Sequence, residues 1–431
     1  MKLSKRPRAV FSAIAALVLL SLLSLGALSS AAEQSKATLV FRNVDVFDGQ
    51  KMIRRTNVLV HDGMIRVVGA DIEVPASAQV INGQGKTLLP GFIDAHTHLG
   101  VYHVEQFLQD ALNFGVTTEL EMWGSDASLK VRNKTASGGF ANMADLRTAG
   151  AGITVPKGHP TQMGGPPIPT LGPDDDVQAF VDARIAEGAD FIKVIYERAF
   201  PTLTKSKLAD VVAAAHRRNK LVVVHVMNQS DARDVIASGA DGLVHIFADS
   251  APGAGFAELA AQHKVFIIPT LNVIEVLTGA SAQPWWQDDK NLISYITPSM
   301  RRSLDIKLPP GFGAKWKLTH AQAAVNALHR AGVSILAGTD APSPGLAHGL
   351  SIHRELELLV NSGLSPTAAL AAATSEPARA FGFHDRGRVA PGLRADLILV
   401  NGDPTVDVKA TRDIVSVWQL GVSYSRTLAA R

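Results

Sequence analysis

Cysteine is absent from the 431 residues. That excludes a disulfide framework and leaves imidazole, carboxylate or a modified side chain as the only means of holding a metal. Aromatic residues are scarce, at 6% of the chain, and charge of one sign is not in excess: 42 Lys and Arg stand against 39 Asp and Glu, a net +3. Even that surplus sits in the first residues, where Lys2, Lys5, Arg6 and Arg8 precede a Leu- and Ala-rich run and then small residues at Ser30–Ala32. This order predicts a secretory signal over 1–32, cleaved after Ala32, and a periplasmic or secreted protein. An uncleaved anchor is the alternative, because the apolar run is near bilayer-spanning length; membrane contact is expected through this segment only. No Cys follows it to carry a lipid. Removing it takes away four positive charges and no negative one, turning +3 into −1. Charge therefore gives no case for nucleic acid or an acidic surface as partner.

What is present is a chain 46% hydrophobic, enough for a large core. Short β-type runs separated by Asp-Gly and Gly-rich turns occupy 38–49, 57–69 and 78–91, and two more lie at 395–404 and 415–426. Strand-rich ends around an unrelated middle predict a small β-sandwich domain from 33–90 and 383–431. The middle, 91–382, alternates apolar strands with helical stretches. The strands are placed at 91–98, 117–123, 150–155, 189–197, 221–226, 241–247, 264–271 and 333–341, with helices such as 230–239 between them, Ser230 as N-cap and Gly239 as stop. Eight such units predict an α/β fold, a (β/α)8 TIM-type barrel. Segment 272–320 breaks the rhythm and holds Trp285, Trp286 and Trp316 with Tyr295 and Phe312. It is either an insert with its own small core or a lid.

GFIDAHTH, residues 91–98, ends in two histidines spaced i and i+2. A strand turns alternate side chains to one face, so His96 and His98 converge. Taken alone, such a pair is more often structural than metal-binding. Ionisable residues recur, however, near the C-terminal ends of four further strands: Lys193, His225, His245 and Asp340. Barrel enzymes place their chemistry at that end. Lys193, in FIKVI, is the odd member, since burying an unpaired ammonium costs several kcal/mol or forces it neutral. A neutral amine can take up carbon dioxide and become an anionic carbamate.

The ordered motifs LLPGFIDAHTHLG, FGVTTELEMW, GADFIKVIYE, VVVHV, GADGLVHIF, ILAGTDAP and GRVAPGLRADLILVNGDP resemble the metal-dependent amidohydrolase superfamily, in its imidazolonepropionase-like and prolidase-like branch. The resemblance implies two divalent metal ions. By it His96 and His98 hold the more buried ion, carboxylated Lys193 bridges, His225 and His245 hold the second, and Asp340 ligates the first and takes the proton of the attacking water. His and oxygen ligands without thiolates suit zinc and leave manganese and cobalt open. His159 and Tyr196 are candidates to hydrogen-bond the substrate, set against an ordinary loop residue and a core tyrosine. His348 and His353 read as helix or loop residues, and the remaining histidines as surface or structural.

The function expected is hydrolysis of an amide in a small-molecule or peptide substrate: a dipeptide, or an N-acyl or N-aryl-acyl amino acid, ochratoxin-like amides included. Lactones and phosphotriesters remain alternatives on the same machinery. A mononuclear deaminase or cyclic-amide hydrolase would carry a glutamate three residues after the strand 5 histidine, whereas Asn228 stands there. A catalytically dead relative would have lost ligands. The roles of Glu119 and Glu121 are open, Arg198, Arg301 and Arg302 lie in segments suited to a substrate carboxylate, and the resemblance carries an expectation of a homo-oligomer.

Overall fold

A computed structural model describes residues 37–100, 102–136, 142–164, 167–280 and 284–429; the expected signal segment lies outside them. Strands β1 (Leu39–Phe47), β2 (Met52–His61), β3 (Met64–Gly69), β4 (Gln79–Asn82) and β5 (Lys86–Pro90) open the chain. The Asp62-Gly63 pair joining β2 to β3 has both residues at positive φ, 52° and 74°, which is the hairpin geometry this dipeptide favours.

At Gly91 the chain passes into a second system of strands, so close to Thr117 that a Cβ would lie 2.1 Å from its hydroxyl oxygen. Parallel strands β6 (Phe92–Thr97), β7 (Val116–Glu121) and β8 (Asp145–Thr148) form one group, and β9 (Ile192–Ile195), β10 (Val222–His225), β11 (Gly242–Val244) and β12 (Phe266–Ile268) a second. Single parallel bridges connect them: Ile153 to Val194, Ile267 to Ile335, and Ala341 to Thr97. With segment 335–341 as the eighth member, the pairings close into a ring. Ile93, Ala95, Leu120, Phe191, Val223, Val244, Ile268 and Leu336 form a buried apolar cluster of their own at its centre. A larger cluster includes the apolar sides of the surrounding helices.

The chain then returns to the first sheet with β13 (Leu397–Asn401), β14 (Ile414–Gln419) and β15 (Val422–Tyr424). The order is β15-β14-β13-β5-β1-β2-β3, with β4 also on β1, so both chain ends share one continuous sheet. It curls until β3 meets the approach to β13 through a Met64–Arg394 bridge. Phe41, Val58, Ile65 and Leu397 fill its inner face, with Trp418 edge-on to Phe41 at 4.9 Å. The described residues, from 37 onward, form one compact unit, and among them no helix is long and apolar enough to cross a membrane.

The third ring strand lies earlier than the apolar run 150–155 suggests. Pairing with β7 is made by Asp145–Thr148, then Gly150 at φ 59° interrupts it before Ile153 bridges to β9. The polar start of β8 is held by Arg386, Arg147 and Arg394, whose guanidinium groups lie 2.5, 2.9 and 3.3 Å from the Asp145 carboxylate. Helix Gln229–Ala237 takes Asn228 rather than Ser230 as its N-cap, because the Asn228 side chain accepts the Asp231 N–H at 2.8 Å. The Ser230 hydroxyl donates to Asn228 instead.

The aromatic segment has a small core of its own: Trp286, Leu292, Ile296 and Met300 pack on Phe114 and Leu350. The Arg412 guanidinium covers Trp285 at 4.8 Å, and that of Arg426 covers Tyr295 at 3.5 Å. These rings serve packing against the C-terminal segment.

Candidate metal centre

His96 comes from the end of β6, His98 from the turn after it and Asp340 from the end of segment 335–341. His96 Nε2 and His98 Nε2 are 3.0 Å apart, and Asp340 Oδ1 lies 3.1 and 3.0 Å from them. Three atoms so spaced can each lie about 2 Å from one common point, the length of a zinc–nitrogen bond. The backbone is bent to bring them there. Asp340 adopts φ 67°, its N–H bonds to the His96 carbonyl at 2.8 Å, and the Ser343 hydroxyl donates to its other oxygen at 3.0 Å. Left-handed backbone at a non-glycine residue costs of order 1–3 kcal/mol and persists only where the surroundings enforce it. Here Thr339 is tied to the buried Asp94 through both its hydroxyl and its N–H, at 2.7 and 3.0 Å.

Lys193 and His225 stand on β9 and β10, two residues beyond Phe191 and Val223 of the ring interior, and so face inward by strand alternation. His245 follows β11 at φ 65°. Its ring is 4.8 Å from that of His96 and 4.7 Å from that of His225, centroid to centroid, and its Nδ1 pairs with the Thr270 hydroxyl at 2.6 Å, leaving Nε2 toward the centre. All six residues singled out from the sequence as metal ligands thus gather in one region, with His96, Lys193, His225 and His245 buried and His98 and Asp340 partly exposed.

Burial drives their titration. It pushes the Lys193 amine down to about 7, with the Asp340 charge opposing. His96 falls to about 3, through burial first and the nearby Lys193 second. Burial also lowers His225 and His245. Burial would raise Asp340, but His96 and His98 outweigh it and hold its carboxyl well below the usual range. Neutral imidazoles facing an ionised carboxylate are the protonation states metal binding requires.

Two residues expected to touch substrate go separate ways. His159 joins the centre: its ring lies 5.2 Å from that of His225, and Gln162 engages its Nδ1 at 2.7 Å. Tyr196 does not. Strand alternation sets it opposite Lys193, in the core shared with the helices, and its hydroxyl donates to Asp234 at 3.4 Å. This placement accords with the core tyrosine set against substrate contact in the sequence reading.

Glu197 was not singled out from the sequence, yet one of its carboxylate oxygens lies 3.3 Å from His225 Nε2, and ligand atoms of His159, Glu197 and His225 fall within 4.8 Å of one another. The even spacing from Lys193 was the available signal. The three arginines have partners or places of their own. Arg198 is tied to Asp231 and Asp234, Arg301 lies over Trp286 at 4.9 Å, and Arg302 lines a separate recess with His103 and Thr297.

The acidic residues of β7 acquire roles behind the site. Glu119 pairs with His348 Nδ1 at 2.9 Å, both fully buried. Glu121 accepts from the Leu99 N–H, which anchors the turn after His98, and from Ser128 and Thr148. His353 bridges Thr411 and the Phe114 carbonyl.

Beside the centre opens a cavity of about 790 Å³ lined by Trp123, Pro160, Met163, Ile168 and Pro169. Gly100 and Pro160 of its wall follow closely on His98 and His159 in the chain. Among the described residues its lining carries Asp126 and no cationic side chain.

The sequence pattern that defines the amidohydrolase family matches residues 87–423. The chain belongs to that family. Amidohydrolases have a TIM-barrel fold, to which the closed ring corresponds, and are typically metal-dependent. Membership makes the protein a hydrolase of carbon–nitrogen bonds. Among its relatives, ochratoxinase of Aspergillus niger is 22% identical over 90% of this chain and 87% of that enzyme. Imidazolonepropionase of Deinococcus deserti is 26% identical over 84% and 90% respectively. A crystal structure of a Xaa-Pro dipeptidase with methionine in its active site superposes with a TM-score of 0.74 at 21% identity, covering 90% of this chain and all of that one. That likeness is one of fold.

Proposed function

We propose that this amidohydrolase is an exported binuclear enzyme that cleaves the amide of dipeptides or N-acyl and N-aryl-acyl amino acids, ochratoxin-like amides included. The observation that carries the reading is the gathering of His96, His98, Asp340, Lys193, His225 and His245 in one region, with the facing atoms of the first three about 3 Å apart. The donors suit zinc: neutral imidazoles and carboxylate oxygen, with no thiolate. His96, His98 and Asp340 would hold one ion, and His225 and His245 a second. Lys193 would bridge them after its neutral amine attacks carbon dioxide, forming an N–C bond and releasing a proton.

The ions, when bound, supply Lewis acidity that polarises the scissile carbonyl and acidifies water. The chain supplies the rest. Asp340, ionised and held by Ser343, accepts the proton of the attacking water and returns it to the departing amine. His159, on its loop beside the second group of donors, orients the carbonyl. The apolar cavity around Trp123 and Met163 receives the acyl or aryl side of the substrate, since its described lining residues offer no cation for a carboxylate. Residues 1–32 direct the chain to the periplasm or outside the cell and are removed, and self-association into a homo-oligomer accompanies this reading.

Turnover of the zinc-loaded protein on a panel of dipeptides, N-acyl amino acids, lactones and phosphotriesters tests it. Amide hydrolysis with a preference for bulky apolar acyl groups is expected, and Trp123→Ala should raise KM for those substrates while sparing an N-acetyl one. Activity confined to lactones or phosphotriesters would overturn the reading.

A further inference from the structure

The side chains around Glu197 repeat the composition of the first set of ligands. His96, His98 and Asp340 supply two imidazoles and a carboxylate; His159, His225 and Glu197 supply the same, from the loop after β8 and the ends of β10 and β9. Two imidazoles and one carboxylate with a fourth position open is a donor set of catalytic zinc sites. The second group is built as a site. Glu197 and His225 are buried, with 8% and 7% exposure. Glu197 is fixed through its N–H to the Thr202 hydroxyl at 3.3 Å, and the His159 carbonyl accepts from Thr154 at 2.6 Å. Since Gln162 occupies His159 Nδ1, Nε2 is the nitrogen free to coordinate.

We infer that Glu197, His159 and His225 form the second divalent-cation subsite, with Glu197 as its protein carboxylate. The inference rests on the binuclear reading and adds two ligands to it. The test is metal stoichiometry: protein stripped with a chelator, reloaded with zinc, desalted and analysed for zinc per chain. Wild type should carry about two ions, and Glu197→Gln and His159→Asn about one each. His159 stands on a loop, so its variant carries the test alone should Glu197→Gln fail to fold. About two ions retained by the folded variants would overturn the inference and leave the binuclear reading standing. A single wild-type ion that persists in both variants would overturn the inference and the binuclear reading together. A wild type that binds no zinc would remove the binuclear reading itself.

Discussion

Thr270 turns its hydroxyl onto His245 Nδ1 at 2.6 Å, although it stands at the N-cap of helix Leu271–Thr278, where a threonine hydroxyl ordinarily caps the helix. The cap comes from elsewhere: Glu355 accepts the N–H groups of Leu271 and Asn272 at 3.0 and 2.8 Å. Thr270, at φ 49°, is thereby released to set the ring of His245.

Thr270→Val keeps the branching at Cβ and removes the hydroxyl. Partners that orient metal-binding imidazoles are worth about 10–100-fold in affinity or activity. A loss of that size in zinc affinity is expected for Thr270→Val, with Thr270→Ser near wild type, both read by competition with a chromophoric chelator. Equal affinities in the two variants would deny the hydroxyl its role.

Asp340→Asn should fold normally and lose activity. Proton transfer by a positioned side chain contributes about 10²–10⁴-fold, so kcat should fall within that range while the melting temperature changes little. A kcat near wild type would remove Asp340 from proton transfer.

Glu119 and His348 form a fully buried pair, and removing one partner of such a pair costs about 3–5 kcal/mol because the other charge is stranded. Burial would lower His348, but Glu119 outweighs it and raises the pKa. Urea unfolding of His348→Leu should show that loss, and adding Glu119→Leu should recover much of it. An unchanged midpoint in the single variant would contradict this.

Burial would raise Asp145, yet Arg386, Arg147 and Arg394 hold it down to about 2. A folded-state pKa below the unfolded value of 3.8 stabilises the fold above that value, and the contribution drains away as pH falls from about 4 toward 2. At about 1.4 kcal/mol per unit the effect is roughly 2 kcal/mol. Urea midpoints between pH 2 and 6 should fall with acid in wild type and less steeply in Asp145→Asn; parallel curves would refute the assignment.

Strand alternation made much of the centre legible. His96 and His98 announce themselves because alternation and an apolar run coincide, and Lys193, His225, His245 and Asp340 each lie in such a run near its C-terminal end. The same rule, carried just past the end of β9, separates Tyr196 from Lys193 and sets Glu197 on the same side as Lys193. β8 was illegible for a different reason. DLRT has one apolar residue, and its place in the ring depends on arginines 386 and 394, remote in sequence. Asn228 and Ser230 are both cap formers, and only the fold decides between them.

The sheet shared by the two chain ends also imposes an order on assembly. β5 pairs with β13, so the strands made first wait for those made last, with the entire ring between them. A chain released before residue 397 would leave β5 with an unpaired margin open to other chains. Completion of the C-terminus therefore decides whether the earliest strands of the protein are safe from aggregation.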